Sequence, residues 1–152
     1  MEMSKKCKVI YTLIMNVPVA LAIALTAQLL AIGTVKINLL LINFCLAYII
    51  SFAIGMLLPA AKWGVSFATV CKAKPDTIQF GLLINVIVNL VYVLINCLIL
   101  TYFNVVLLGH APMIAYFMGM VTTFIPIYIV GYIVSFLWNR PAGQIAQKIS
   151  KE

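Results

Sequence analysis

Four long runs of apolar residues, separated by short polar segments, organise this chain. They lie near Ile10–Ile32, Ile37–Pro59, Ile78–Asn104 and Pro112–Trp138. Each run is long enough to cross the hydrocarbon core of a bilayer, which takes about 20 helical residues. A backbone inside that core has to satisfy its own hydrogen bonds, so each run is predicted to be a helix. The pattern therefore predicts an all-α integral membrane protein, a four-helix bundle in a single membrane domain, 1–152.

Composition and charge agree with this topology. Hydrophobic residues make up 65% of the 152 residues and charged residues only 9%, against about 45–50% and 25% in soluble domains. The net charge is +7, and most of the basic residues lie in alternate segments between the apolar runs. Lys5, Lys6 and Lys8 precede the first run, Lys62, Lys72 and Lys74 follow the second, and Arg140, Lys148 and Lys151 follow the fourth. Positive charge collects on the cytoplasmic side. We therefore expect both termini on the cytoplasmic side of the membrane, with lipid and not nucleic acid as the partner.

An internal repeat divides the chain into two helical hairpins, about 9–64 and about 77–140. The segments Leu13–Leu25 and Leu82–Leu94 share Leu13/Leu82, Asn16/Asn85, Val17/Val86, Val19/Val88, Leu21/Leu90 and Leu25/Leu94. The second helices align more weakly and pair Gly55 with Gly131. The corresponding helices of the two hairpins are two spans apart in the chain, so the hairpins have the same orientation. This predicts a parallel repeat about an axis along the membrane normal.

The connection 60–77 leaves two alternatives open. Trp63, Phe67 and Val70 recur at helical spacing among lysines, which is typical of an interfacial helix on the cytoplasmic leaflet; an ordinary basic loop is the other interpretation. Asp76 and Gln79 resemble a capping box that starts the third span. Pro141 and Gly143 are predicted to end the fourth span.

The sequence gives little support to functions that need ionisable side chains, such as ion-coupled transport, catalysis or metal binding. The acidic side chains are Glu2, Asp76 and Glu152, all outside the runs, whereas coupled transporters usually hold an ionisable residue within the membrane. The single histidine, His110, stands in a connection without a nearby carboxylate. The four cysteines form no C-x-x-C motif. We therefore predict no enzyme activity, no catalytic residue, no metal and no cofactor.

Uncharged polar residues form the candidate site. Asn85, Asn89, Tyr92 and Asn96 follow the spacing i, i+4, i+7, i+11, which keeps them within about 60° on one face of a helix. Asn16 is the repeat counterpart of Asn85. Further uncharged polar groups in the spans are Gln28, Asn43, Ser51, Thr122 and Thr123. These amides either line a pathway for a polar solute or ion, or bond between helices at about 0.6–2 kcal/mol each.

Small residues form a second stripe that predicts close helix packing. Its members are Ala20, Ala24, Ala27, Ala47, Ser51, Gly55 and Gly131.

The segments LIMNVPVALAIAL and SFAIGMLLPAAKW carry a resemblance to a known family. With Asn16, Pro18, Gly55, Pro59 and Trp63, they resemble short bacterial membrane proteins built on a two-helix unit and catalogued as a domain of unknown function. The second copy keeps Asn85 and Gly131 but has Ile87 where the first has proline. The resemblance implies two tandem copies in a bacterial inner membrane and no established activity.

Three functions follow as hypotheses, of which the third, a membrane enzyme, is disfavoured by the lack of ionisable groups in the spans. The first is a small transport protein or channel for a polar solute or ion, lined by Asn16, Asn85, Asn89, Tyr92 and Asn96. The second is a non-transporting accessory or scaffold protein that packs against partner subunits. A protomer this small is also expected to form a homo-oligomer.

Overall fold

The protein, seen in a computed structural model that describes residues 4–150, is a bundle of helices. The elements are α1 (Lys5–Ile32), α2 (Ile37–Leu57), α3 (Ala60–Val70), α4 (Ile78–Thr101), a π-helical extension of α4 (Tyr102–Leu108) and α5 (Met113–Ser150). Within the described part, four helices are long and apolar enough to cross a membrane: α1, α2, α4 with its extension, and α5. The chain is therefore a multi-pass membrane protein, and the predicted all-α four-helix bundle is confirmed.

The outer surface is apolar, as a lipid-facing surface has to be. On α5, five apolar residues are each more than 60% exposed, and the first four are three or four positions apart, on one stripe of the helix: Ile114, Met118, Val121, Ile125 and Leu137. The opposite stripe of α5 includes Ile127, Gly131 and Ser135 and faces the bundle. A side chain exposed in this way loses nothing in hydrocarbon, whereas in water it would be costly.

The core forms where α1, α2, α4 and α5 meet. Its buried members are Val19, Ala20, Ile23, Ala47, Val93, Cys97, Leu100 and Ile127. Ala20, Ala24 and Ala47 are fully buried, and these small side chains let the helix backbones approach closely.

The connection between the second and third spans contains a helix, α3, which excludes the loop alternative over Ala60–Val70. One face of α3 carries Ala60, Gly64 and Ala68, four residues apart, and all three are buried. A Cβ on Gly64 would lie 2.7 Å from the Ile84 carbonyl oxygen of α4. Glycine is therefore required for α3 to pack this closely on α4.

The fourth span differs from the prediction at its end. Pro141 and Gly143 do not end the helix, since α5 continues to Ser150. The Tyr11 hydroxyl donates to Asn139 Oδ1 (2.7 Å) and Trp138 Nε1 donates to the Ile14 carbonyl (3.3 Å), so α5 runs antiparallel along α1. The same alignment places Ala142 and Ala146, both fully buried, opposite the first turns of α1. This packing outweighs the local preference of proline, about 3 kcal/mol against a helix interior.

Other boundaries also move. α1 begins five residues early, where the Ser4 hydroxyl accepts from Cys7 N (3.2 Å). The predicted capping box is wrong: Thr77, not Asp76, caps α4, and its hydroxyl accepts from Phe80 N (3.2 Å). The third span extends past Asn104 because the backbone continues as a π-helix to Leu108.

Candidate functional site

The asparagine stripe of α4 points into the bundle. Asn85, Asn89 and Asn96 are 8%, 2% and 0% exposed, as expected for amides that avoid lipid. Asn85 Nδ2 donates to the Tyr132 carbonyl (3.1 Å), and its Oδ1 accepts from Ser135 Oγ (3.0 Å). Both the amino group and the carbonyl oxygen of the Asn85 side chain therefore form hydrogen bonds between α4 and α5.

Asn89 and Asn96 use only their amino groups. Asn89 Nδ2 donates to the Tyr128 carbonyl of α5 (2.9 Å). Asn96 Nδ2 donates to Ser51 Oγ of α2 (3.0 Å) and to the carbonyl of Tyr92 (2.8 Å). The Oδ1 atoms of both residues are buried and have no hydrogen-bond partner. An unsatisfied buried acceptor costs about 1–3 kcal/mol. Helix packing alone therefore does not explain why these two oxygens are buried without a partner.

Asn16 does not reproduce the bonding of its repeat counterpart. Its side chain is 2% exposed, and Nδ2 has no partner. The corresponding atom of Asn85 donates across the helix interface. The two asparagines are alike in burial but differ in what they bind.

Tyr92, the remaining member of the stripe, has its hydroxyl group next to Gly55 of α2. A Cβ on Gly55 would be 2.6 Å from the Tyr92 hydroxyl and 2.7 Å from Cγ2 of Thr12. On the other hairpin, a Cβ on Gly131 would lie 3.0 Å from Asn89 Oδ1. Both glycines thus make room for a polar side chain of the stripe.

A cavity of about 460 Å³ lies nearer the other end of the bundle, between α1, α2, α4 with its extension, and α5. Its polar lining consists of Gln28, Asn43, Thr101, Asn104, Thr122 and Thr123. Ile23, Cys97 and Ile127 also line it and belong to the core. The cavity therefore extends from the helix ends near Ile32 and Leu108 to the core.

Two amide arrangements shape the cavity. Asn43 and Asn104 form a reciprocal pair, with Nδ2 to Oδ1 distances of 3.2 and 2.8 Å. Gln28 is 2% exposed, and its Nε2 donates to the Lys36 carbonyl (3.0 Å). Its Oε1 is buried without a partner. The π-helical turn supplies Asn104, Val105 and Leu108 to the lining, and such turns are frequent at functional sites.

None of the predicted stripe residues lines this cavity; Cys97, the neighbour of Asn96, does. In the sequence, Gln28, Asn43, Thr122 and Thr123 are scattered uncharged polar residues without a common motif. Their joint position was not visible, since residues on four helices meet only through tertiary packing. The signal in the sequence was an uncharged polar residue in each span, in the half next to the connections 33–36 and 109–112.

The described residues provide no metal or catalytic constellation. They contain no group of three or more His, Cys, Asp or Glu side chains that could hold a metal ion. The four cysteines are free thiols. His110 lies exposed in the connection after the π-helix, at φ 48°. What the site does offer is uncharged hydrogen bonding: amides, hydroxyls and apolar walls.

In comparisons with known proteins, no family model, curated protein or solved structure matches this chain.

Proposed function

We propose that this protein is a small transport protein or channel for a polar solute or ion in a bacterial cytoplasmic membrane. The observation that carries the proposal is the amide-lined cavity, which leads from the helix ends to the core. Beyond the core, α4 continues with the unpaired oxygens of Asn96 and Asn89. A cavity on one side of a packed core is what a transporter has when its site is accessible from that side only.

The orientation within the membrane is part of the same proposal. At one end of the bundle lie the lysines at the start of α1, the connection after α3 and the end of α5; Lys36 and His110 lie in the two connections at the other end. Positive charge favours the cytoplasmic side. Both termini would then be cytoplasmic, and the cavity would face the outside.

Water access to the stripe is the decisive test. Asn89 and Asn96 are replaced singly by cysteine in a chain without native thiols, and a membrane-impermeant thiol reagent is applied from each side. We expect labelling of at least one position. Thr34→Cys, in the exposed α1–α2 connection, is the control for reagent access, and the lipid-facing Val121→Cys is the control for exclusion. Complete protection of both stripe positions would overturn the proposed pathway.

Flux gives the second test. Asn96→Leu is expected to abolish uptake of a transported solute by proteoliposomes while the protein still inserts. Asn38→Leu makes the same change at an exposed residue at the start of α2 and should leave uptake intact. Equal uptake by the two variants would contradict the role of Asn96.

A non-transporting accessory or scaffold protein is the second candidate, favoured by a different observation. The amino groups of Asn85 and Asn89 bond α4 to α5, and that of Asn96 bonds α4 to α2. Amides used in this way stabilise a bundle, or a homo-oligomer, without any solute. This function predicts that Asn96→Leu lowers stability and that the stripe stays dry. We propose no enzyme activity.

A further inference from the structure

The orientation of the Gln28 amide is determined by its partner. Nε2 faces the Lys36 carbonyl at 3.0 Å. A carbonyl can only accept a hydrogen bond, so the amino group has to be on that side and Oε1 on the other. Oε1 is then a buried acceptor without a donor, on a side chain that lines the cavity. A ligand that donates a hydrogen bond would satisfy it.

The same asymmetry recurs below the cavity. Asn89 and Asn96 also direct their amino groups at backbone carbonyls and leave Oδ1 unpaired. Among the four unpartnered buried side-chain atoms of the described residues, three are therefore amide oxygens, and only Asn16 Nδ2 is a donor. Most of the unpaired buried polar atoms in the bundle are therefore hydrogen-bond acceptors, which a ligand with donor groups would satisfy.

The absence of charged side chains from the cavity lining narrows the chemical class of the ligand further. Among residues 4–150, no Asp, Glu, Lys, Arg or His lines the cavity. A buried cation would lack a counter-charge and an anion would meet unpaired oxygens, and either is costly in a low-dielectric site. Much of the wall is apolar, including Ile23, Leu100 and Ile127. The volume, about 460 Å³, lies within the ~300–1,000 Å³ typical of small-molecule sites.

We propose that this cavity binds an uncharged, partly apolar small molecule through hydrogen bonds that the molecule donates to Gln28 Oε1. The inference rests on the proposed transport function only in treating the bound molecule as the transported one. Binding itself is a property of the cavity and is tested separately from flux.

The test uses four small probes built on a four-carbon chain: 1,2-butanediol, which donates hydrogen bonds through its hydroxyls; 1,2-dimethoxybutane, which cannot donate; butylammonium; and butyrate. Protein in nanodiscs carries Thr123→Cys, in the cavity wall, in a background without native thiols. The measurement is the rate of labelling by a small thiol reagent at rising probe concentration. We expect the diol to slow labelling and the other three probes to have little effect. Thr34→Cys, outside the cavity, should be insensitive to all four.

Two substitutions test the role of Gln28. Gln28→Met removes the acceptor and should raise the diol concentration for half-protection by about tenfold. Gln28→Glu replaces the Nε2 donor to the Lys36 carbonyl with a second oxygen, and burial favours the neutral form of the new carboxyl. At an alkaline pH at which this carboxyl is ionised, butylammonium should protect Thr123→Cys. A structural role of Gln28 alone would not create this new selectivity.

The proposal is overturned if the diol gives no protection, if the diol and its dimethyl ether protect equally, or if Gln28→Glu does not favour butylammonium. Uptake of the diol by proteoliposomes is measured in parallel. Protection without uptake would leave the binding site in place and refute transport of the diol. Absence of both protection and diol uptake, with a wet stripe, would refute the binding site alone.

Discussion

Gly64→Ala tests the packing of α3 on α4, the contact that the structure makes most demanding. An alanine Cβ would lie 2.7 Å from the carbonyl oxygen of Ile84, 2.9 Å from its Cγ2 and 3.1 Å from its Cα. Two of these atoms are backbone, so they cannot rotate away, and the helices have to separate. Overpacking of this kind costs about 1–3 kcal/mol.

The same substitution also gains helix propensity, about 0.5–1 kcal/mol for alanine over glycine. A matched control removes this term. Gly143→Ala lies within α5, where an added Cβ meets nothing within 4 Å. The difference in stability between the two variants should therefore equal the steric cost, about 1–3 kcal/mol, with Gly64→Ala the less stable.

The assay is reversible unfolding in mixed micelles by titration with sodium dodecyl sulfate, followed by tryptophan fluorescence. The chain has two tryptophans, and Trp63 lies on α3 next to Gly64. A Trp138→Phe background leaves Trp63 as the reporter of α3. If Gly64→Ala proves as stable as Gly143→Ala, then α3 does not pack closely on α4, and the argument from the Ile84 carbonyl fails.

Two further predictions concern the end of α5 and the cavity. Ala146→Leu should cost about 1–3 kcal/mol because Ala146 is fully buried, whereas Gln147→Leu, at an exposed position, should be nearly neutral. Similar values in the same unfolding assay would mean that Ala146 is not packed against the bundle. A double-mutant cycle of Asn43→Ala and Asn104→Ala should give a coupling of about 0.6–2 kcal/mol for the reciprocal amide pair. Additive effects would contradict that pair.

Elements with strong local signals were predictable from the sequence. The four spans follow from the length of each apolar run, since a bilayer leaves a helix as the only way to satisfy the backbone. The inward face of Asn85, Asn89 and Asn96 follows from helical periodicity and the cost of an amide in lipid. The helix boundaries were less predictable. Pro141 locally favours the end of a helix, but the burial of Ala142 and Ala146 outweighs this preference, and α5 continues. The two-copy repeat and the resemblance to a two-helix family stay predictions.

The amino-acid sequence by itself determined that this chain is an all-α membrane protein, because hydrophobicity, helix period and charge position are properties of single segments. Only the tertiary structure decided which polar groups are paired. Asn85 is satisfied by α5, while Oδ1 of Asn89 and Asn96 and Oε1 of Gln28 are not. The cavity likewise arises where side chains from four helices fail to fill the space between them. Pairing and packing depend on distances between segments remote in the chain, and no local pattern encodes those distances.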